Sequence, residues 1–301
     1  MSDVVSCEKS SLDRDIESLS HEDLCEITQS SLRRLIASDP LLSDLPVDVI
    51  TEEVHAQIAV IQGQSITVTI GRYSETPLNV VIACTNWKRV MMVLTGRSNV
   101  SNLVDIPASV AHANYSTVRL SQLPPSEIRT VLREYTLFLI VRHPFERLLS
   151  AYRNKFTETL PSSKYFQARY GKEIIKKYRR GAVSSDANVT FSEFVAYLLD
   201  EGAETNEHWR PVYDMCLPCT LNYTFVGRYE TLVEDARTVL NMVGAPPLAF
   251  PVTRPARTRD NLKRYYQELS VYTIGRLYRR YLADFKLFGY GLEDLLGYDL
   301  A

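Results

Sequence analysis

The sequence predicts an α/β fold in which helices flank a central parallel sheet. The first observation is a buried strand, a polar turn and an amphipathic helix that follow one another over Leu137–Phe156. The second is the same layout over Leu78–Leu94. Repeated strand–turn–helix units favour a parallel sheet whose connecting loops share one edge. A hydrophobic fraction of 45% and a charged fraction of 23% fit a globular chain with a sizeable core.

Charge and hydropathy limit the classes of partner. The 301-residue chain has a net charge of −2, so we expect no nucleic-acid partner. The sequence shows no apolar run of the roughly 18 residues that a membrane span needs, and its first residues, MSDVVSCEKSSLDRD, are polar. N-x-S/T sequons at Asn99, Asn114, Asn188 and Asn222 are typical of a protein of the secretory pathway.

The N-terminal part of the chain predicts an accessory segment. Residues 1–54 form an acidic stem in this interpretation, with a helix over Asp13–Ala37, and residues 55–301 form the main domain. Two strands are expected at the start of that domain, over Ala59–Ile61 and Ile66–Ile70.

The first strand–turn–helix unit begins with the apolar strand Leu78–Ala83. Cys84–Asn86 are predicted to form a turn and Trp87–Leu94 a helix. Backbone N–H groups in such a turn, with the side chains of Thr85 and Asn86, can bind an anion; the alternative is an ordinary helix cap. The chain has neither G-x-x-x-x-G-K-[ST] nor G-x-G-x-x-G, so a nucleotide-triphosphate P-loop and a dinucleotide fingerprint are both excluded.

The second unit joins a predicted buried strand, Leu137–Val141, to a helix that starts near Pro144. Arg142 then lies where the strand ends and the helix begins, a position suited to an anion. Arg147 and Ser150 share a polar face of the helix, and a surface arginine with a helical serine is the alternative interpretation. The apolar face of this helix is predicted to contain Phe145, Leu148, Leu149, Tyr152 and Phe156.

Downstream segments supply the remaining elements. The basic stretch Arg169–Arg180 is either a solvated helix face or a platform for a polyanionic substrate. Hydrophobic periodicity predicts one strand, Tyr223–Gly227, and four helices, Ser126–Tyr135, Phe191–Leu199, Leu232–Val243 and Asp260–Leu287.

Two short motifs carry candidate chemistry. Glu207 and His208 are candidates for a general base that takes a proton from an attacking hydroxyl; a hydrogen-bonded structural histidine is the alternative. Cys216 and Cys219 form a C-x-x-C without a second ligand pair at zinc spacing. We therefore expect a local structural disulfide or two buried thiols there, and no metal.

Long segments resemble the Golgi carbohydrate sulfotransferases, which include chondroitin and dermatan 4-O-sulfotransferases. ACTNWKRVMMVL, Ala83–Leu94, is similar to the 5′-phosphosulfate loop of that family. VRHPFERLLSAYRNKF, Val141–Phe156, is similar to its 3′-phosphate motif. RYGKEIIKK, FSEFVAYLLD, NEHWRPVYDMCLPC and FVGRYETLVEDA follow in the order of the family. The resemblance covers roughly residues 83–290.

This resemblance implies an α/β sulfotransferase fold with a P-loop-like phosphosulfate loop. It implies 3′-phosphoadenosine 5′-phosphosulfate (PAPS) as donor, no metal, a location in the Golgi, and in-line sulfonyl transfer to a glycan hydroxyl. The acceptor would be a glycosaminoglycan or related glycan, with the 4-hydroxyl of N-acetylgalactosamine in chondroitin or dermatan as the expected site. The donor-binding residues that it implies are Ala83, Cys84, Thr85, Asn86, Arg142, Arg147 and Ser150.

The chain departs from the family pattern at three places. Val81 stands where the family has a lysine expected to stabilise the bridging oxygen, so a catalytically impaired protein that binds nucleotide or acidic glycan is the alternative function. His143 stands where the family usually has an acid. The N-terminal membrane anchor of the family is missing from this sequence, and we expect membrane contact only through such an anchor.

Overall fold

We describe the fold from a computed structural model of the chain. The residues that it describes are 68–69, 78–79, 84–113, 124, 135–179, 188–200, 202, 206–216, 218–219, 221, 223–251 and 258–292.

Short strands and mostly short helices make up this part of the chain. The strands are β1 (Val68–Thr69), β2 (Leu78–Asn79), β3 (Phe138–Val141) and β4 (Phe225–Arg228). The α-helices are α1 (Cys84–Leu94), α2 (Ala108–Ala111), α3 (Pro144–Tyr152), α4 (Pro161–Phe166), α5 (Lys172–Tyr178), α6 (Phe191–Asp200), α7 (Val212–Cys216), α8 (Leu232–Met242), α9 (Thr258–Tyr266), α10 (Val271–Arg280) and α11 (Leu282–Leu287). Single turns of 3₁₀-helix cover Leu103–Asp105 and Tyr229–Thr231, and π-helical turns cover Arg153–Thr157 and Gln167–Gly171.

The parallel pairing joins β3 to β4, with Phe138 opposite Phe225 and Val141 opposite Arg228. The described residues of the predicted strand Leu78–Ala83 instead pair antiparallel with β1. β2 also approaches β3. The predicted parallel sheet is therefore confirmed at β3, but its partner there is the strand near residue 225.

Both faces of β3 are covered by helices. Phe138 and Ile140 pack into a hydrophobic cluster with α1 and α8. Leu139 and Val141 point to the opposite face and pack against α7 and Phe288. All four side chains are at most 1% exposed, as expected for a strand that is buried on both faces. This layering confirms the α/β class.

The apolar face predicted for the helix after β3 is confirmed. Its five members are buried in one cluster with α6, α9 and α10. Trp209 lies in the same cluster, with its ring centroid 5.5 Å from that of Phe194. The tyrosine hydroxyl of Tyr266 donates a 3.0 Å hydrogen bond to the backbone carbonyl of Phe145, which fixes α9 against the first turn of α3. The start of α3, where Arg142 lies, is thus held on a rigid core.

The predicted turn at Cys84–Asn86 is wrong, because these residues form the first turn of α1. The side chain of Asn86 is 3% exposed and donates a 3.4 Å hydrogen bond to the carbonyl of Pro251. It also accepts a 3.0 Å bond from Arg89 one turn later. These bonds satisfy a buried amide, so helix can begin earlier than the apolar periodicity indicates.

The predicted long C-terminal helix is also wrong, since the chain forms three helices there. Ser270 interrupts it, because its hydroxyl accepts the N–H of Thr273 and caps a new helix. A second break falls at Tyr281, whose φ of −109° and ψ of 15° are not helical. The helices predicted over Phe191–Leu199 and Leu232–Val243 are confirmed within one residue at their ends, and Gly244 follows the latter with φ of +62°.

Several predictions lie outside the described residues. They are the domain boundary at residues 54–55, the helix over Asp13–Ala37, the strand over Ala59–Ile61, most of the helix over Ser126–Tyr135, and the positions of Val81 and Ala83. In the described part of the chain, no helix has the length and apolar character needed to cross a membrane.

Candidate active site

The first turn of α1 contacts a histidine from the end of α2. The hydroxyl of Thr85 lies 2.9 Å from Nε2 of His112. On the next turn of α1, the ammonium of Lys88 lies 3.4 Å from Nδ1 of the same imidazole. Because an ammonium can only donate, Nδ1 must accept, and Nε2 then carries the proton that is donated to Thr85.

The surroundings of His112 favour its neutral form. Partial burial lowers its pKa, and the charges of Lys88, Lys155 and Arg89 lower it further. A neutral imidazole beside a helix N-terminus can accept a proton without first losing one. The backbone N–H groups of the first turn of α1 have no intrahelical partner, and they provide an anion site next to this histidine.

The guanidinium of Arg142 lies between a carboxylate and an aromatic ring. Its Nε and Nη2 donate hydrogen bonds of 3.2 and 3.1 Å to Glu146, one turn into α3. Its central carbon lies 4.4 Å from the centre of the Tyr229 ring. The side chain is only 8% exposed, so a phosphate that binds Arg142 must join or displace Glu146.

His143 performs the capping role that an acid often has at this position. Its Nδ1 accepts a 3.2 Å hydrogen bond from the N–H of Phe145, and its Nε2 lies 3.0 Å from the carbonyl of Gly291. The two contacts require the tautomer with the proton on Nε2. The backbone N–H of His143 donates to Glu230 at 3.2 Å. This departure from the family pattern therefore preserves the start of α3.

Arg147 makes hydrogen bonds to the protein backbone. Its Nη1 donates a 2.6 Å bond to the carbonyl of Arg210, and its Nη2 a 2.7 Å bond to the carbonyl of Glu207. The residue is 8% exposed. Burial lowers the pKa of its guanidinium, and the nearby carboxylate of Asp284 opposes this shift. Ser150, one turn further along α3, is half-buried.

The turn that Arg147 holds contains both predicted catalytic residues. The carboxylate of Glu207 lies 3.7 Å from Nε2 of His208. The imidazole of His208 packs edge-on to the ring of Phe166, with centroids 5.4 Å apart. Lys155 places its ammonium 4.6 Å from the centre of that same ring.

His208 is also neutral. Burial lowers its pKa well below the ordinary value, and the nearby charges of Lys155 and Arg147 add to this effect. Its side chain keeps 39% of its surface exposed. A charged His112 would lower the pKa of His208 further, and on this basis we treat the two imidazoles as parts of one candidate site.

Four further hydrogen bonds fix this turn and the start of α7 that follows it. Tyr281 donates a 2.6 Å bond from its hydroxyl to the carbonyl of Trp209. The indole N–H of Trp209 donates a 2.8 Å bond to the carbonyl of Gly202. Asp284 accepts the N–H groups of Val212 and Tyr213 at 2.8 and 2.7 Å, at the start of α7.

The structure brings together predicted and unpredicted residues. Thr85 from α1 and His208 from the distant turn were both candidates, and they share one site through His112. Sequence reasoning missed His112 and Lys155. The stretch around His112 has no hydrophobic periodicity, and Lys155 falls within the helix that follows Arg142, so no local signal distinguishes either residue.

The basic stretch is partly neutralised. Lys177 forms a 2.8 Å ion pair with Asp200, and Arg179 forms a 2.7 Å ion pair with Glu193. Both acids belong to α6. The C-terminal end of the stretch is therefore a packed contact between helices, whereas the more N-terminal cations are exposed.

The predicted local disulfide at the C-x-x-C is wrong. Cys216 is a free, buried thiol, and burial raises its pKa. Cys219 is in a disulfide bond, which must therefore be with another cysteine. In the part of the chain that the structure describes, no group of three or more His, Cys, Asp or Glu side chains is arranged to hold a metal.

A separate cavity of about 420 Å³ lies where α5, α6 and α10 meet. Its lining includes Asp200, Glu268 and Arg276, and none of the donor-binding or catalytic candidates. We place the site at the N-termini of α1 and α3, because His112 contacts the first turn of α1 and Arg142 lies just before α3.

Comparison with known proteins places these features in a family. Residues 82–291 match the sulfotransferase family. The chain is 43% identical over 229 residues to "Carbohydrate sulfotransferase 11" of Rattus norvegicus, covering 72% of this chain and 64% of that protein. It is 46% identical over 222 residues to "Carbohydrate sulfotransferase 14" of Homo sapiens, covering 71% and 57%.

A more distant relative aligns over a longer part of the chain. This is "Carbohydrate sulfotransferase 10" of Gallus gallus, 32% identical over 292 residues, which covers 92% of this chain and 78% of the relative. The chain spans about three fifths of the length of the relatives to which it is more than 40% identical. No solved structure gives a significant match.

Proposed function

The chain belongs to the sulfotransferase family, and from this premise we propose that it transfers a sulfonyl group from PAPS to a hydroxyl of a glycan. The observation that carries the proposal is the contact of Thr85 and Lys88 with the neutral imidazole of His112 at the N-terminus of α1. Donors for an anion and a proton acceptor for a hydroxyl are then adjacent, as sulfonyl transfer requires.

The donor nucleotide would bind across the starts of α1 and α3. In this proposal Ala83 and the first helical turn of α1, Cys84, Thr85 and Asn86, surround the 5′-phosphosulfate in place of the expected P-loop-like loop. Arg142 and Ser150 hold the 3′-phosphate. The two helix N-termini complement a multiply charged nucleotide, since free N–H groups and helix dipoles both favour anions.

Arg147 is the donor-binding candidate with the least support from the geometry. Both of its terminal nitrogens donate to backbone carbonyls, at 2.6 and 2.7 Å. A phosphate would have to replace one of these short, buried bonds. We therefore propose that Arg147 positions the turn Glu207–Arg210 and does not contact the nucleotide.

The proton of the acceptor hydroxyl would pass to a neutral histidine. His208 is one candidate, with Glu207 beside it to stabilise the imidazolium that forms. His112 is the second, and its hydrogen bond to Thr85 places it nearer the proposed phosphosulfate loop. We propose His112 as the base, with the proton passing to Nδ1 when Lys88 moves from this nitrogen to the anionic donor. His208 is then part of the acceptor side of the site.

Lys88 and Lys155 offer positive charge near His112, and this charge could substitute for the family lysine that Val81 replaces. Both lie close enough to His112 to lower its pKa. Either ammonium can stabilise negative charge on the transferred group or on the bridging oxygen. This supports activity despite Val81.

The acceptor would be a glycosaminoglycan or related glycan, with the 4-hydroxyl of N-acetylgalactosamine in chondroitin or dermatan as our proposal. Support comes from the relatives, which are named carbohydrate sulfotransferases. We propose the Golgi lumen as the location. The disulfide at Cys219 fits an oxidising compartment of this kind.

The decisive experiment is transfer of labelled sulfate from PAPS to desulfated chondroitin by the purified chain. We expect labelled product that a chondroitin-degrading enzyme releases as 4-sulfated disaccharide. Nucleotide binding is measured in parallel by calorimetry. Binding without transfer to any glycan would overturn the enzymatic proposal.

A non-catalytic nucleotide- or glycan-binding protein is the second candidate, and the substitution at Val81 favours it. It predicts that Val81→Lys creates turnover where the original chain has none. If the original chain already transfers sulfate and Val81→Lys changes the rate less than about threefold, this candidate is excluded, since a lost oxyanion donor costs about 100-fold or more.

A further inference from the structure

We propose that one exposed side of α4 and α5 binds the acceptor chain next to the reacting sugar, and that it selects an anionic glycan. This basic face consists of Leu160, Lys164, Tyr165, Arg169 and Lys172. The inference rests on the proposed function, because it assigns the acceptor of that site to a particular surface.

The first argument is the position of the basic face beside the site. Phe166, the residue after Tyr165, contacts the ring of His208 at 5.4 Å between centroids. The ring of Tyr165 lies 5.4 Å from that of Phe166. Only one aromatic ring therefore separates the exposed Tyr165 from His208, and a glycan bound at His208 would extend onto this face.

The second argument is the spacing of the cations. The helical path from α4 to α5 includes the π-helical turn Gln167–Gly171. Arg169 follows Lys164 by five residues, which is the spacing of a π turn, and Lys172 follows Arg169 by three. These spacings place the three cations along one side of the helix. From Lys164 to Lys172 the side extends about 12 Å, at about 1.5 Å per residue.

The third argument is that these charges are available. All three cations are exposed, and none has a described carboxylate within ion-pair distance. At the other end of the same stretch the cations are neutralised, since Lys177 and Arg179 form ion pairs with acids of α6. Glu173 is the one acid in the sequence from 161 to 178, so the face is positively charged.

The fourth argument is the exposed apolar surface among the cations. Tyr165 is 60% exposed and Leu160 is 50% exposed. An exposed ring offers a flat apolar surface with a polar tip, which suits the C–H face of a sugar ring. Cations beside such a ring match a carboxylate or sulfate on the same glycan chain. The combination fits an anionic glycan better than a neutral glycan or a purely apolar partner.

The test uses a variant in which three members of the face are changed together, Lys164→Ala, Tyr165→Ala and Lys172→Ala. Arg237→Ala is the control, because Arg237 is an exposed cation on α8, outside the face. Binding of desulfated chondroitin is measured by calorimetry, and the KM values of acceptor and donor are measured in the transfer assay. The same binding is measured with desulfated chondroitin whose carboxylates have been reduced, which is neutral.

We expect the triple variant to weaken chondroitin binding and raise the acceptor KM about tenfold or more, with the donor KM unchanged. Arg237→Ala should leave the affinity for chondroitin, the acceptor KM and the donor KM unchanged. The neutral glycan should bind the original chain more weakly than chondroitin, and the difference should shrink at high salt. The changed side chains are exposed, so circular dichroism should show an unchanged fold.

The outcomes separate this inference from the proposed function. If the original chain transfers sulfate and the triple variant keeps its acceptor KM, the basic face is wrong while the function stands. If the original chain transfers no sulfate, the binding measurement tests the inference alone. Loss of chondroitin binding in the triple variant supports the basic face as the glycan-binding surface, and unchanged binding overturns it. Equal affinity for the neutral glycan, or no chondroitin binding by the original chain, also overturns it.

Discussion

Arg147 donates a 2.6 Å hydrogen bond to the backbone carbonyl of Arg210, so a side chain of α3 holds a turn that lies 63 residues later in the chain. A second bond, to the carbonyl of Glu207, makes the contact bidentate. The same helix begins at the proposed 3′-phosphate site. α3 therefore links the donor side of the site to the turn that carries His208.

The first prediction concerns this link. Arg147→Lys removes the bidentate geometry while keeping the charge, because an ammonium cannot reproduce the planar fork of a guanidinium. We expect kcat/KM for the acceptor to fall about 100-fold, mainly through a higher KM, since displacement by about 1 Å of the turn that carries His208 can cost that much. The nucleotide Kd should change less than about threefold. Steady-state kinetics and calorimetry provide the two measurements.

Tyr281→Phe is the variant matched to Arg147→Lys. It removes one hydroxyl, which donates a 2.6 Å hydrogen bond to the carbonyl of Trp209 in the same turn. A buried carbonyl left without its partner should cost about 1–3 kcal/mol of unfolding free energy. Transfer should fall while the nucleotide Kd stays constant. A large loss of nucleotide affinity in Arg147→Lys but not in Tyr281→Phe would instead place Arg147 on the nucleotide.

The second prediction concerns the proton acceptor. His112→Ala should lower kcat about 100-fold or more, the usual contribution of a general base. Because burial and Lys88 lower the pKa of His112, the acidic limb of kcat against pH should have its midpoint below the ordinary histidine value of 6.5. Lys88→Met removes one of the positive charges that lower the pKa of His112, so it should move the midpoint of the acidic limb to higher pH.

His208→Ala is the comparison for this prediction. We expect it to raise the acceptor KM more than it lowers kcat, because we place His208 on the acceptor side. If His208→Ala abolishes the acidic limb and His112→Ala preserves it, the two assignments must be exchanged. Rates are measured at saturating donor across the pH range.

The third prediction concerns the competition for Arg142. Its Nε and Nη2 lie 3.2 and 3.1 Å from the carboxylate of Glu146. Glu146→Gln keeps the shape but removes the charge that a phosphate must displace, so the affinity for 3′-phosphoadenosine 5′-phosphate should rise several-fold. Adenosine 5′-phosphate, which lacks the 3′-phosphate, should bind unchanged. Arg142→Ala should weaken the binding of 3′-phosphoadenosine 5′-phosphate only. A loss of affinity for both nucleotides would contradict the assignment of Arg142 to the 3′-phosphate.

The fourth prediction concerns Asp284, whose pKa is raised from 3.8 to about 6, chiefly by burial. In the unfolded chain the carboxyl loses its proton near its ordinary pKa, whereas in the folded chain it keeps the proton until about pH 6. Its contribution to stability is therefore present at low pH and is lost as pH rises through this window.

Asp284→Asn removes this titration. The difference in unfolding free energy between the original chain and the variant should shrink as pH rises from about 4 to 6, by about 1.4 kcal/mol for each unit of pKa shift. Urea unfolding at several pH values measures it. A difference that stays constant across this window would mean that Asp284 is ionised with an ordinary pKa in the folded chain.

Much of the fold could be predicted because burial leaves a local pattern. The apolar run before Arg142 became β3, and the five apolar residues after it became the buried face of α3. Periods of two and 3.6 residues report which side of an element is buried. They do not report which strand is the neighbour, so only the tertiary structure gives the pairing of β3 with β4.

Helix boundaries depended on side-chain bonds that periodicity does not contain. Asn86 is bonded to Pro251, 165 residues away, and helix α1 starts before it. Ser270 caps α10 with its own hydroxyl, which divides a stretch whose apolar pattern continues. In both cases the hydrogen bond of a polar side chain sets where a helix begins. The partner in that bond cannot be read from hydrophobic periodicity.

The sequence by itself determined the α/β class, the buried strand β3 and the amphipathic helix α3 that follows it, because these follow from local burial. Only the tertiary structure decided the partners of the polar side chains. His112 meets Thr85 across 27 residues, and Arg147 meets the carbonyls of Glu207 and Arg210 across 60 and 63. The physical reason is that a hydrogen bond requires two groups within about 3 Å, and chain folding brings those groups together from segments whose local sequences are independent.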